Sequence, residues 1–294
     1  MKPATRLAAA SLAAVALAAC SDGAKSPSVE ATGSASASPS SSASPTVAPT
    51  ATAHPAATMT VPVYYLGGTS RPVLYRELRA VPRAAAVVRA AVEAMLRTAP
   101  LDGDYRSLWP TATVVNGINV AGTVATVDLS GSARGVTTTT ANERASLQQL
   151  VHTVTAAAPS ITGVRLRFDG TTKASLWGRV STTGTLSRDA QVDTLAPVWV
   201  SEPAFGATVG HTFAVRGSAS VFEATVSWNV YRADGTRITE GHTTATAGGP
   251  ARGDYTVNVT LPASVTGDVV FTAWESSAED GSVLWPDTKT FHVR

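Results

Sequence analysis

The chain has 294 residues, 44% of them hydrophobic and 15% charged, with a formal net charge of +2 at pH 7. Its single cysteine, Cys20, excludes an internal disulfide. The positive balance belongs to Lys2 and Arg6 near the start; from Cys20 onward the formal charge is zero, so the basic character is not a property of the remaining chain and no nucleic-acid partner is expected.

In chain order, Lys2 and Arg6 precede an apolar run over 7–17, too short to span a bilayer, which Leu17-Ala18-Ala19-Cys20 closes with small residues. This is the layout of an export signal over 1–19. Leu-Ala-Ala-Cys resembles the bacterial lipobox, and the resemblance implies cleavage before Cys20 and acylation of that residue, palmitate included. Each buried methylene of such a chain adds about 0.8 kcal/mol of membrane affinity, so two or three chains hold a protein at a membrane without a spanning helix. Residues 20–58 are almost entirely Ser, Ala, Pro and Thr and are expected to form a disordered tether, with a reach of about 35 Å.

Two domains follow, 59–186 and 196–294, separated where 187–194 carries no apolar run. Residues 59–192 hold 14 Lys and Arg against 8 Asp and Glu, whereas 193–294 hold 6 against 11. Opposite balances would let the domains attract each other, or let the first face anionic wall polymers or lipid headgroups.

In the first domain, 59–66 reads as a strand with Pro62 at its edge or start, and 73–81 as its antiparallel return. Pro82 is expected to open a helix that runs to Leu96. Val87, Val88, Ala91, Val92, Met95 and Leu96 mark its core stripe, and Arg89, Glu93 and Arg97 a solvated face. Residues 114–130 read as a β-hairpin turning at Ala121-Gly122, and 131–140 as an exposed crossover. Asn142 is expected to cap a second helix, with Leu147, Leu150, Val151 and Val154 as its stripe. A strand over 164–168, a turn at Asp169-Gly170 and a weak strand over 174–177 complete an α+β domain with one small mixed sheet.

These blocks carry a family resemblance. Val63-Tyr64-Tyr65-Leu66, Ala94-Met95-Leu96, Val-Ala-Thr-Val-Asp-Leu-Ser over 124–130, Leu150-Val151-His152-Thr153-Val154 and Gly-Val-Arg-Leu-Arg-Phe-Asp-Gly over 163–170 resemble, in that order, the GerMN domain of sporulation and spore-germination proteins. Thr98-Ala99-Pro100 stands where that family usually shows Gly-Pro after the first helix.

The second domain reads as seven short strands, 198–200, 213–219, 224–231, 237–243, 254–259, 269–274 and 284–293, the rhythm of an immunoglobulin-like sandwich held by packing alone. Residues 217–224 together with Trp274-Glu275-Ser276-Ser277 resemble the immunoglobulin-like (Gmad-type) domain of bacterial spore-germination proteins, which commonly follows a GerMN domain. The pairing implies a lipid-anchored protein on the extracellular face of a Gram-positive cell membrane.

Chemistry-bearing patterns are sparse. No two histidines have metal-ligand spacing, and His152 is expected in a structural or surface role. Neither a nucleophile elbow nor a phosphate-cradling glycine loop occurs, so no catalytic set, metal or cofactor is expected. Asp102, Asp104 and Asp128 read as turn or capping residues. Glu223 and Glu275 read as partners of backbone N–H groups or of an arginine such as Arg216, and Arg252-Gly253-Asp254 as turn chemistry. The exit of the hairpin, Asp128 and Ser130, is where a binding surface is expected. Trp199, Trp228, Trp274 and Trp285 are either sandwich core or a sugar-stacking platform, with Trp285 expected to be the most exposed. The reading that follows is a non-enzymatic envelope binding or scaffold protein whose partner is an envelope protein, peptidoglycan or an anionic wall polymer. The alternatives are a wall-glycan-binding accessory to an envelope enzyme, or a partner of a sensor kinase like the LpqB-type lipoproteins that share the GerMN domain.

Overall fold

The computed structural model describes residues 57–294 apart from Thr69 and Ala85; the signal, Cys20 and all but the end of the tether therefore lie outside the described residues. Strands β1 (Thr58–Gly67) and β2 (Val73–Pro82) pair antiparallel in unbroken register from Thr58↔Pro82 to Gly67↔Val73. Pro82 is thus the last residue of β2 and not the first of a helix; α1 (Val87–Arg97) starts five residues later. Its core stripe is Val88, Ala91, Val92 and Met95, and Arg89 pairs with Glu93 at 3.0 Å on the outer face.

Strands β3 (Val115–Ala121) and β4 (Val124–Leu129) form the expected hairpin, but the connecting pair is Gly122-Thr123, with Gly122 at φ +59°, a conformation a Cβ would strain. Ala125, Val127 and Leu129 alternate inward along β4, while Val120 of β3 is exposed. From β4 the chain passes a 3-10 turn, Gly131–Arg134, and enters α2 (Thr140–Ala157), whose cap is Thr139 accepting from the Asn142 N–H at 3.2 Å, in place of the expected Asn142. β5 (Gly163–Phe168) then pairs parallel with β4. The domain therefore contains the expected small mixed sheet, β3-β4-β5, with the β1-β2 ribbon standing apart from it as a separate two-stranded sheet.

Helix α2 covers more than a stripe. Glu143, Ser146, Gln149, His152 and Thr153 are as buried as Leu150 and Val154, because the ribbon, α1 and the segment after β5 surround it. The expected weak strand over 174–177 does not form. Within it only Ser175 forms a bridge, to Ser181, and the Trp177 N–H donates to the Glu143 carboxylate (2.7 Å), which also accepts from Arg179 (3.1 Å) and Val180 (2.9 Å) just beyond.

His152 lies fully buried beside Tyr64, ring centroids 5.2 Å apart, so the surface alternative for it is excluded. Burial, with the charges of Arg188 and Arg252 added, holds its imidazole down to about 3. The unfolded chain takes up a proton near pH 6.5 that the folded chain refuses until about pH 3, so stability falls as pH drops through that window, by up to about 1.4 kcal/mol per unit. His152→Leu is expected to flatten this dependence. Urea midpoints for both chains at pH 7 and pH 4.5 give the comparison, and equal acid losses would refute it.

A short helix, α3 (Gln191–Thr194), leads into the second domain, and Leu195 and Ala196 are buried in the first domain's core. The sandwich comprises β6 (Val198–Glu202), β7 (Thr208–Val209), β8 (Thr212–Ala219), β9 (Thr225–Arg232), β10 (Arg237–Thr244), β11 (Gly253–Thr260), β12 (Gly267–Ser276) and β13 (Val283–Val293). One sheet runs β10-β9-β12-β13-β7 and the other β11-β8-β6. All seven expected strands are present, joined by the two-residue β7. Val215, Val226, Val230, Val257, Phe271 and Phe291 fill the space between the sheets. Gly217 has no room for a side chain, since a Cβ there would stand 2.2 Å from the Trp199 carbonyl oxygen.

Candidate functional site

The domains meet where the loop following α1 reaches β13. An antiparallel bridge between Leu66 and Arg106 holds that loop on β1, and the buried Glu77 carboxylate accepts from the N–H groups of Leu101 (2.9 Å) and Asp102 (3.1 Å). These contacts present Asp102 and Tyr105 to the second domain. On β13, Asp287 and Lys289 stand at inward positions, in phase with Phe291 and Val293. The Lys289 ammonium donates to an Asp102 carboxylate oxygen, to the Tyr105 hydroxyl (2.6 Å) and to Asp287 Oδ1 (3.3 Å). Tyr105 in turn donates to Asp287 Oδ1 at 2.6 Å, and the Val200 N–H of β6 to Asp287 Oδ2 at 2.6 Å.

All four side chains are 1–5% exposed. Burial pushes the Asp287 carboxyl up against the opposing pull of Lys289, Tyr105 and the Val200 N–H, and burial first, then the neighbouring carboxylates, pushes the Tyr105 hydroxyl well up. Nothing in this arrangement reaches solvent as a nucleophile or base. It fixes one domain on the other, because separating them would leave charges without partners. The polarity is the reverse of what the overall balances suggest: the single lysine of the acidic domain enters an aspartate of the basic one.

Above this buried cluster lies an open cleft of about 530 Å³ between the domains. Tyr75 and Tyr105, stacked at 4.6 Å, form its floor; Ser70, Asp104, Arg106 and Trp285 are among its walls. Trp285 is only half-buried, but its outer surface is not simply free. The Arg71 guanidinium sits 5.1 Å from its ring centre while donating to the carbonyls of Asp193 (2.7 Å) and Val192 (2.9 Å) on α3. Its backbone has φ +53°, a conformation rare for an aromatic residue and one that costs about 1–3 kcal/mol.

The other expected site residues fall elsewhere. Asp128 accepts the Gly170 N–H at 3.0 Å, and Ser130 Oγ accepts the Val114 N–H at 2.9 Å while bonding Ser132. Both tie the hairpin exit to neighbouring backbone, and neither lines the cleft walled by Trp285. Their polar atoms are engaged within the fold, while both side chains stay partly exposed.

The tryptophans do not form one platform. Trp199 is buried in the first domain's core, and Trp228 packs on Phe271 at 6.1 Å. Glu275 accepts the Phe222 N–H at 2.8 Å, as expected, while Arg216 pairs with Glu202. Gly253 and Asp254 belong to β11 and not to a turn, and Arg252 before them points inward, donating to the Ala196 and Ser218 carbonyls. Among the described residues no group of three or more His, Cys, Asp or Glu could hold a metal ion, and no helix is long and apolar enough to cross a membrane.

The buried ion cluster was the feature that sequence reasoning missed. Its signal was present in β13, where two charged residues occupy alternate positions in phase with core residues.

Residues 62–174 match the family described as "Sporulation and spore germination", and residues 197–282 the one described as "Immunoglobulin-like domain of bacterial spore germination". Among solved structures, the first GerMN domain of the sporulation protein GerM from Bacillus subtilis is 21% identical, with a TM-score of 0.38, over 45% of this chain and 98% of that one. The tandem GerMN domains of the same protein are 16% identical, with a TM-score of 0.39, over 69% of this chain and 62% of that one. A candidate lipoprotein from Clostridium perfringens is 19% identical, with a TM-score of 0.33, over 44% of this chain and 87% of that one. No curated protein matches the chain.

Proposed function

We propose that this chain, whose residues 62–174 match the sporulation and spore-germination family and whose residues 197–282 match the germination-type immunoglobulin-like domain, is a non-catalytic binding or scaffold protein, lipid-anchored through Cys20 on the extracellular face of a Gram-positive membrane. The observation that carries the reading is the Lys289–Asp102–Asp287 junction, a buried ion cluster expected to hold the two germination-type domains rigidly together. A scaffold gains from such rigidity, because a partner that touches both domains then pays no cost for ordering them. The lipobox-like Leu17-Ala18-Ala19-Cys20 supports the anchor.

Cys20→Ser is expected to abolish palmitate incorporation and release the protein from the membrane fraction; labelled palmitate still entering the variant would refute the anchor. A second reading, in which the partner is wall glycan, is favoured by the cleft. Aromatic faces beside Asp104 and Arg106 combine apolar stacking area with planar polar groups, the combination that pyranose rings offer in return. Retention of the purified protein on peptidoglycan separates the readings. Saturable retention weakened about tenfold or more in Trp285→Ala, the loss of one stacking contact of roughly 1.4 kcal/mol, supports glycan in the cleft. Absence of retention leaves an envelope protein as the partner, to be identified by crosslinking in intact cells. Hydrolysis of wall material by the pure protein would overturn the non-enzymatic reading.

A further inference from the structure

On the face of the ribbon opposite Tyr75, Arg76 stands in register with Tyr64. A second cleft, about 500 Å³, opens there, with Tyr64, Arg76, Thr155, Thr162 and Arg188 among its walls. The guanidinium of Arg76 lies 5.7 Å from the Trp199 ring centre and that of Arg252 lies 3.9 Å from it. Arg76 donates to Ser201 Oγ at 3.2 Å, and Arg188 to Thr155 Oγ1 at 2.8 Å, both neutral acceptors. Arg252 donates only to backbone carbonyls. Among the described residues, none of the three makes an ion pair, although the more distant Asp254 acts on Arg252 through its charge.

The same neighbourhood is short of hydrogen-bond partners. The Nε atoms of Arg76 and Arg252 and both ring nitrogens of His152, which packs behind Tyr64, are buried without one. Buried polar atoms are nearly always satisfied, so four orphans in one neighbourhood call for an explanation. Every formal charge on the cleft wall is positive, and behind it burial, with Arg76 added and against the opposing pull of Tyr64 and Asp254, brings the Arg252 guanidinium down to about 10.

We propose that this cleft binds a phosphoryl group, held by Arg76 and Arg188 with the hydroxyl of Thr162 beside it, and attracted by the charge of Arg252. A group with several oxygens suits guanidinium forks that approach from different elements, since each can take two oxygens in a planar contact. The proposal goes beyond the scaffold reading and does not depend on the anchor or on the Trp285 cleft. The phosphoryl group belongs either to a soluble or polymer-borne phosphate ester or to a lipid headgroup.

Calorimetric titration of the full chain with inorganic phosphate and with glycerol 3-phosphate, and sedimentation with vesicles of phosphatidylglycerol or phosphatidylcholine, test it. Saturable binding of glycerol 3-phosphate, weakened about tenfold in Arg76→Gln and in Arg188→Gln but unchanged in Arg216→Gln, is the expected result, as one charge-assisted contact of this kind accounts for roughly that factor. Arg188 is exposed, so its variant tests the site even where Arg76→Gln loosens the Trp199 packing. Co-sedimentation with phosphatidylglycerol vesicles alone, lost in Arg188→Gln, assigns the headgroup as the source and also supports the site. Equal binding by wild type and Arg188→Gln, or no preference for either phosphate esters or phosphatidylglycerol vesicles, overturns the proposal. Peptidoglycan retention measured on the same variants stays at the wild-type level, which keeps this result separate from the scaffold reading.

Discussion

Lys289→Met is expected to destabilise the folded body by about 3–5 kcal/mol, because it removes the cation that, among the described residues, alone pairs with the buried Asp102 and Asp287. At roughly 2–4 °C per kcal/mol for a body of this size, the melting temperature falls by about 10 °C. The methionine keeps the apolar stem, so lost packing is a small part of the effect. Adding Asp102→Leu and Asp287→Asn to the same chain is expected to recover most of the loss. The carboxylates then no longer need a counter-charge, and the amide oxygen introduced by Asp287→Asn still accepts the Val200 N–H. Calorimetric melting of the single and triple variants gives the answer. A single variant that melts with wild type would mean that the cluster does not hold the domains together.

The second large effect is expected at Glu143. One fully buried carboxylate on the first turn of α2 serves the N–H groups of Trp177, Arg179 and Val180, in a segment whose only ladder contact is the isolated Ser175↔Ser181 bridge. Glu143→Ala leaves three donors without an acceptor and a cavity beside α2, a loss of about 3 kcal/mol or more. Glu143→Gln keeps one acceptor oxygen but turns an amide NH2 toward the remaining donors, so an intermediate loss is expected. Amide exchange in 171–182 should quicken in both variants while β4 keeps its protection. Unchanged exchange in that segment would show that the carboxylate does not hold it.

Much of the architecture was legible because apolar spacing announces it. The alternation along β4 and β11 and the Leu147–Leu150–Val151–Val154 stripe fix which faces turn inward without reference to anything distant. Pro82 shows where such reading stops. Its fixed φ suits a helix start and a strand end equally well, and the pairing with Thr58, far away in sequence, decides between them. The expected strand at 174–177 failed for a similar reason: the Trp177 N–H is taken by Glu143, and propensity within the segment carries no information about a carboxylate on α2.

The site was less legible than the fold. Asp128 and Ser130 have the composition of a binding loop, but their oxygens are engaged by Gly170 and Val114. Asp102 reads as a turn residue and is one, accepting the Asp104 N–H at 2.9 Å through Oδ1. Its other oxygen belongs to Lys289, a partner that only the docking of two domains supplies. Trp285 lines the cleft, but the Arg71 guanidinium against its ring was beyond sequence reasoning, because it requires the ribbon turn, α3 and β13 to converge.

The register of β1 and β2 has a mechanical consequence. The chain joins the ribbon at Thr58, opposite Pro82, whereas Gly68, Ser70 and Tyr75, which line the cleft beside Trp285, lie at or near the other end. A pull between the N-terminal side of the chain and a partner seated in that cleft therefore runs lengthwise along the ribbon. That load is carried end to end by the covalent backbone of β1 and does not peel its ten pairs from β2 one at a time, so the strand resists tension as a strap does, over about 30 Å at a strand rise of roughly 3.3 Å per residue.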